Sequence, residues 1–137
     1  YLHWGHDISP EENQYEAGLN FAISFKKKED FIGKSFLLNE KNKKTKKKFV
    51  CLSLKSSKPG FPLLTHDEPI YINKKIEGRT TSGNYSFNYK KNIAFGYINS
   101  TASLDNKIIE IEVEKKRYEA NVETLPLHDP NNKILKS

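Results

Sequence analysis

Lys107-Ile108-Ile109-Glu110-Ile111-Glu112-Val113-Glu114 is the stretch that decides the fold. Ile109, Ile111 and Val113 alternate with Glu110, Glu112 and Glu114, the period-two pattern of a strand with one buried and one wet face. Similar short runs lie at residues 49–54, 69–72, 76–81, 92–98 and 117–123. Pro59-Gly60, Asn73-Lys74, Ser82-Gly83-Asn84 and Asp105-Asn106 punctuate them as turns. Asn73-Lys74 is a tight-hairpin candidate, because Asn tolerates a positive φ. About six antiparallel strands at this spacing predict a small barrel or sandwich.

The first third of the chain reads differently. Leu19, Phe21, Ile23 and Phe25 share one face, which predicts a half-buried strand over 19–25. Asp30 is a candidate N-cap. Behind it Ile32, Phe36 and Leu37 fall at helical spacing, predicting a helix from residue 31 to about residue 42. Residues 41–48 read as a fraying helix end and a linker. The predicted fold class is α+β, mostly β: a strand-helix unit over 1–45, then an antiparallel barrel with a polar tail over 46–137.

Composition narrows the possible functions. Of the 137 residues, 29% are charged and 12% aromatic, as expected of a folded chain. No apolar run approaches the ~20 residues of a membrane span, and no membrane partner is expected. Residues 26–48 hold ten lysines against three acids, a net of +7, whereas the remainder nets −1. The basic character therefore belongs to one segment. That segment has neither the arginines of base-edge readout nor the interleaved aromatics of single-strand binders, so no nucleic-acid partner is expected. It reads as a solvated face or as a contact for a polyanion such as a polyglutamate tail. Cys51, the single cysteine, sits in an apolar run and reads as a small buried hydrophobe. No methionine occurs, and the chain reads as the tail end of a larger protein.

Few generic sites survive inspection. There is no glycine-rich phosphate loop, and no serine on a strained nucleophile turn. His3-x-x-His6-Asp7 offers metal-ligand types, but a metal site usually needs three well-placed donors, and none is expected here. His66-Asp67 and His128-Asp129 read as turn chemistry. Tyr1 and Trp4, three apart beside Gly5, either pack into a core or present a flat wall to a planar heterocycle.

Five ordered motifs carry a family resemblance. They are His3-Trp4-Gly5-His6-Asp7-Ile8, Glu16-Ala17-Gly18-Leu19, Asp30-Phe31-Ile32-Gly33-Lys34, Gly78-Arg79-Thr80-Thr81-Ser82-Gly83 and Asn92-Ile93-Ala94-Phe95-Gly96-Tyr97. Together they resemble the folate-binding aminomethyltransferase family (glycine cleavage T-protein-like). Trp4 and the ending 126–133 are most similar to the branch fused to dimethylglycine and sarcosine dehydrogenases. The resemblance implies that 1–45 ends a folate-binding domain and that 46–137 is the family's C-terminal barrel. It implies a parent enzyme that oxidises an N-methylglycine with FAD and passes the one-carbon unit to tetrahydrofolate, in the cytoplasm or mitochondrial matrix. The alternatives are the plain aminomethyltransferase of glycine cleavage and a non-catalytic regulatory module of the same fold. The resemblance also implies that the catalytic aspartate and the flavin domain lie upstream, so no catalytic residue falls in this chain and the fragment alone is inactive. Tyr1, Trp4 and Lys133, the last within the returning tail from Asp129, are the positions it implies for folate contact. Glu16 reads as structural, at a strand entry.

Overall fold

The computed structural model describes residues 2–105, 107–123, 127, 131, 133, 134 and 136. Its elements are a 3-10 turn at Asn20–Ala22, helix α1 at Lys34–Glu40, and strands β1 (Lys47–Leu54), β2 (Pro69–Ile72), β3 (Lys75–Ser86), β4 (Lys91–Asn99), β5 (Ile109–Val113) and β6 (Lys116–Glu123). The strands close into a barrel in the order β1-β4-β3-β2-β5-β6, and every pairing is antiparallel.

Alternation fills the interior. Leu52, Leu54, Ile70, Ile98 and Ile111 are each at most 2% exposed, and Leu64 from the loop before β2 plugs the same core. Both short hairpins use the turn geometry that matches strand twist. Asn73 and Lys74 take φ 51° and 70°, and Glu114 and Lys115 take φ 50° and 64°. Asn73-Lys74 is therefore a tight hairpin without a glycine.

β3 departs from the sequence expectation in an instructive way. Ser82-Gly83-Asn84 is not a turn but the middle of a strand of 12 residues. Thr80 pairs with Gly96 and Ser82 with Phe95, so Thr81 is an extra residue in the ladder, a β-bulge. The bulge inverts the strand's parity. Gly78 and Thr80 oppose the inward Ile98 and Gly96 before it, whereas Gly83 and Tyr85 oppose the inward Ala94 and Asn92 after it. A second irregularity, between Ile70 and Tyr71 in the pairing of β2 with β3, leaves Glu77 as the extra residue. It leaves Ile76 57% exposed.

The N-terminal third corrects three expectations. No strand forms over 19–25. Ala22 and Ile23 instead donate to the carbonyls of Leu19 and Asn20, because no neighbouring strand offers a partner, and Phe21 is 82% exposed. The helix is shorter than predicted and starts behind Gly33 rather than Asp30. Asp30 spends its carboxylate on the Phe31 N–H and on Lys34. In α1 only Leu37 is buried; Phe36 points outward, and Ile32 in the lead-in is fully exposed. Lys47 and Lys48 belong to β1 rather than to a linker.

Gly96 sits where β3 and β4 approach over the core. A Cβ there would lie 2.5 Å from the Arg79 carbonyl oxygen and 3.0 Å from Ile70 Cδ1. Gly96→Ala is therefore expected to destabilise the chain by about 2–3 kcal/mol through overpacking, measured as a lowered urea midpoint with an unchanged m-value.

Candidate functional site

The turn that carries the aromatic motif is built from its own backbone. Asp7 N–H donates to the His3 carbonyl at 2.8 Å, and Gly5 N–H to the Ile8 carbonyl at 2.8 Å. Gly5 takes φ 93°, a conformation a side chain would strain, which explains the glycine behind Trp4. Trp4 is 71% exposed. Its ring is therefore not core, and it is free to meet a ligand or another surface.

Asp7 has a role that no sequence motif signals. It is 1% exposed. Its Oδ2 accepts the His3 N–H at 2.8 Å, and its Oδ1 accepts Thr81 Oγ1–H at 2.5 Å and Ser82 Oγ–H at 2.8 Å. Consecutive residues of a regular strand point to opposite faces. Thr81 and Ser82 reach the same carboxylate because Thr81 is the bulge residue. Tyr97 Oη–H on β4 donates to the Asp7 backbone carbonyl at 2.9 Å. Burial, then the charges of Glu12, Asp7 and Glu16, push the Tyr97 phenol up, so it stays a donor. The hydroxyl run Thr80-Thr81-Ser82 was the visible signal for this anchor. Splitting it into a strand end at Thr81 and a turn from Ser82 hides the shared role.

A cleft of about 1050 Å³ opens between this turn and strands β3 and β4, lined by Gly5, His6, Glu12, Lys47, Arg79 and Tyr97 among others. Most of its charges are paired. Lys47 Nζ donates to Glu12 Oε1 at 2.5 Å and lies 4.9 Å from the centre of the Tyr97 ring. Arg79 binds Asp67, which also accepts from His66. Those two partners, His66 first, hold the exposed Asp67 carboxyl below its ordinary value. His3, His6 and His66 gather at the rim, with neighbouring ring centres 4.7 and 5.6 Å apart. Among the described residues no metal-binding cluster of three His, Cys, Asp or Glu residues forms, and Asp7 is committed to its hydroxyls. Glu16 fills a structural place: its carbonyl accepts the Phe49 N–H at 2.9 Å and ties the segment to β1.

Of the three expected folate contacts, Trp4 stands exposed on its turn and Lys133 is exposed in the tail. Tyr1 lies outside the described residues, as do His128 and Asp129. Cys51 is half-buried. Burial first, and then the Glu123 charge, push its thiol up to about 11, which leaves it a poor nucleophile.

A family profile described as the glycine cleavage T-protein C-terminal barrel domain matches residues 47–129. The chain belongs to that family. It is 35% identical to the mitochondrial dimethylglycine dehydrogenase of Homo sapiens, over 96% of this chain and 15% of the relative. It is 32% identical to a 4-methylaminobutanoate oxidase (formaldehyde-forming) of Paenarthrobacter nicotinovorans, over 99% of this chain and 16% of that protein. It is likewise 32% identical to an aminomethyltransferase of Listeria welshimeri, over 91% of this chain and 33% of that protein. The fold matches the crystal structure of glycine cleavage system aminomethyltransferase T from Bartonella henselae with a TM-score of 0.80 at 21% identity, covering 95% of this chain and 36% of that one. The relatives are enzymes, so the chain belongs to an enzyme family, and it spans a small part of the dehydrogenases it matches. No helix among the described residues is long and apolar enough to cross a membrane.

Glu12 supplies a pH signature. Burial pushes its carboxyl up, but the Lys47 ammonium and the Ser9 hydroxyl and N–H outweigh this and hold it below its ordinary value. A carboxyl lowered on folding stabilises fully above its unfolded pKa of about 4.3 and loses that contribution as pH falls through the folded value. Glu12→Gln is thus expected to lose about 1 kcal/mol near neutral pH and to converge on the parent chain in acid, as read by urea unfolding at both pH values.

Proposed function

We propose that this chain is the C-terminal portion of a folate-dependent N-methylglycine dehydrogenase acting on dimethylglycine or sarcosine. In that enzyme residues 1–45 would end the folate-binding domain, and 46–137 would form the barrel that supports it. The observation that carries the reading is Trp4: a large aromatic ring held 71% exposed on a turn anchored to the barrel through the Asp7 carboxylate and carbonyl. Leaving such a ring in water has no stabilising purpose, whereas a planar pterin stacked on it gains about 1 kcal/mol beyond area burial. Tyr1 would extend the wall, and Lys133 would meet the anionic glutamate end of tetrahydrofolate.

Two further observations support the division. Phe21, Ile32, Phe36 and Leu38 are each at least 46% exposed, an apolar surface suited to contact with the remainder of a folate-binding domain. Leu19, Phe21, Ile23 and Phe25 keep the alternation of a strand but have no partner strand among the described residues. The residues that fit a folate here bind and orient it. Electron transfer would belong to the FAD of the parent enzyme, for which this chain has no glycine-rich loop. A cytoplasmic or mitochondrial-matrix setting belongs to the same proposal.

Trp4→Ala, or Tyr1→Ala, in the full-length enzyme is expected to weaken tetrahydrofolate binding about fivefold, the equivalent of ~1 kcal/mol of stacking, with amine oxidation unchanged. Unaltered folate affinity in both variants, by calorimetry, overturns the reading. The 137-residue chain alone is expected to show no folate-dependent turnover of dimethylglycine. Turnover of glycine-cleavage substrates by a parent without flavin would assign the chain to the plain aminomethyltransferase instead.

A further inference from the structure

We infer that the β3 bulge is a positioning device: the hydroxyls of Thr81 and Ser82, acting through Asp7, fix the orientation of Trp4. Its value to folate binding rests on the reading proposed above; the mechanical role does not. Among the described residues, the hydrogen bonds between residues 2–8 and the barrel come from three hydroxyls, those of Thr81, Ser82 and Tyr97. Within the turn, the backbone bonds at His3, Gly5 and Asp7 make a small closed unit. That unit moves as a piece, and its attachment decides where the indole points.

The attachment is all-or-none in character. A carboxylate 1% exposed stays buried only while donors replace its water. Asp7 has three, two of them supplied by the barrel. Remove both barrel donors and the carboxylate is left with the His3 N–H from its own turn. Hydration then becomes the cheaper state, and Asp7 leaves the barrel surface with Trp4 following. The bulge residue makes the pairing possible, because without it one of the two hydroxyls would face the barrel interior.

Trp4 is the single tryptophan, so its fluorescence reports this turn alone. In the Thr81→Val/Ser82→Ala chain, Trp4 anisotropy is expected to fall while the far-ultraviolet β signal is retained. Thr81→Ser, which keeps the hydroxyl, is expected to match the parent chain. In the full-length enzyme the double variant is expected to raise the folate KM about tenfold, equivalent to 1.4 kcal/mol of uniform binding, without lowering kcat for amine oxidation. Parental anisotropy in the folded double variant overturns the inference, as does a loss of anisotropy in Thr81→Ser equal to that in the double variant. If the double variant unfolds, Asp7→Ala, which removes the buried charge together with the group the two hydroxyls hold, puts the same question, and parental anisotropy there overturns it equally. A fall in anisotropy with folate KM unchanged upholds the positioning role and removes the folate reading.

Discussion

A carboxylate cannot be taken out of water alone, and the arrangement of this chain follows from how Asp7 meets that constraint. Its donors come from its own turn and from two neighbouring residues of β3, while Tyr97 on β4 holds the adjoining carbonyl. Replacing water around a charge with oriented hydroxyls is worth more than the sum of the contacts, because leaving the charge unpaired costs several kcal/mol. The N-terminal segment therefore has one defined seat on the barrel. The Glu12–Lys47 pair and the Phe49 N–H to the Glu16 carbonyl fix its direction along β1. The exposed ring of Trp4, the rim of histidines and the cleft beside them are all placed by that seat.

The barrel was legible because its signals are local and redundant. Ile109, Ile111 and Val113 alternate with glutamates, and the structure buries those three. β2 falls at 69–72 as read, and β1, β4 and β6 lie within two residues of expectation. β3 was misread for a physical reason. A bulge shifts inward-facing residues from even to odd positions, so the period-two pattern breaks in mid-strand and Ser82-Gly83-Asn84 takes on the composition of a turn. Gly83 is there for packing, since a Cβ would run into the Leu64 side chain.

The N-terminal third was misread for the opposite reason. Its pattern is sound, but pattern alone cannot supply a partner. Leu19 to Phe25 alternate as a strand should, yet an unpaired strand leaves backbone groups unsatisfied, and a 3-10 turn satisfies some of them locally. The candidate site shows the same limit. Trp4 could be singled out from its neighbours in sequence. The partners of Asp7 lie 74 and 75 residues away and converge through a ladder irregularity, which no short window of sequence reveals.

Closure of the barrel between its first and last strands fixes how the module is carried. β1 and β6 are antiparallel neighbours, with Glu123 opposite Cys51 and Ala120 opposite Leu54. The chain enters at Lys47 and leaves at Glu123, four residues beyond the entry point along the same seam. Both connections to the outside therefore sit on one side of the barrel. A pull on either covalent connection is therefore borne first by β1 and β6, which are paired to each other and each to one further strand.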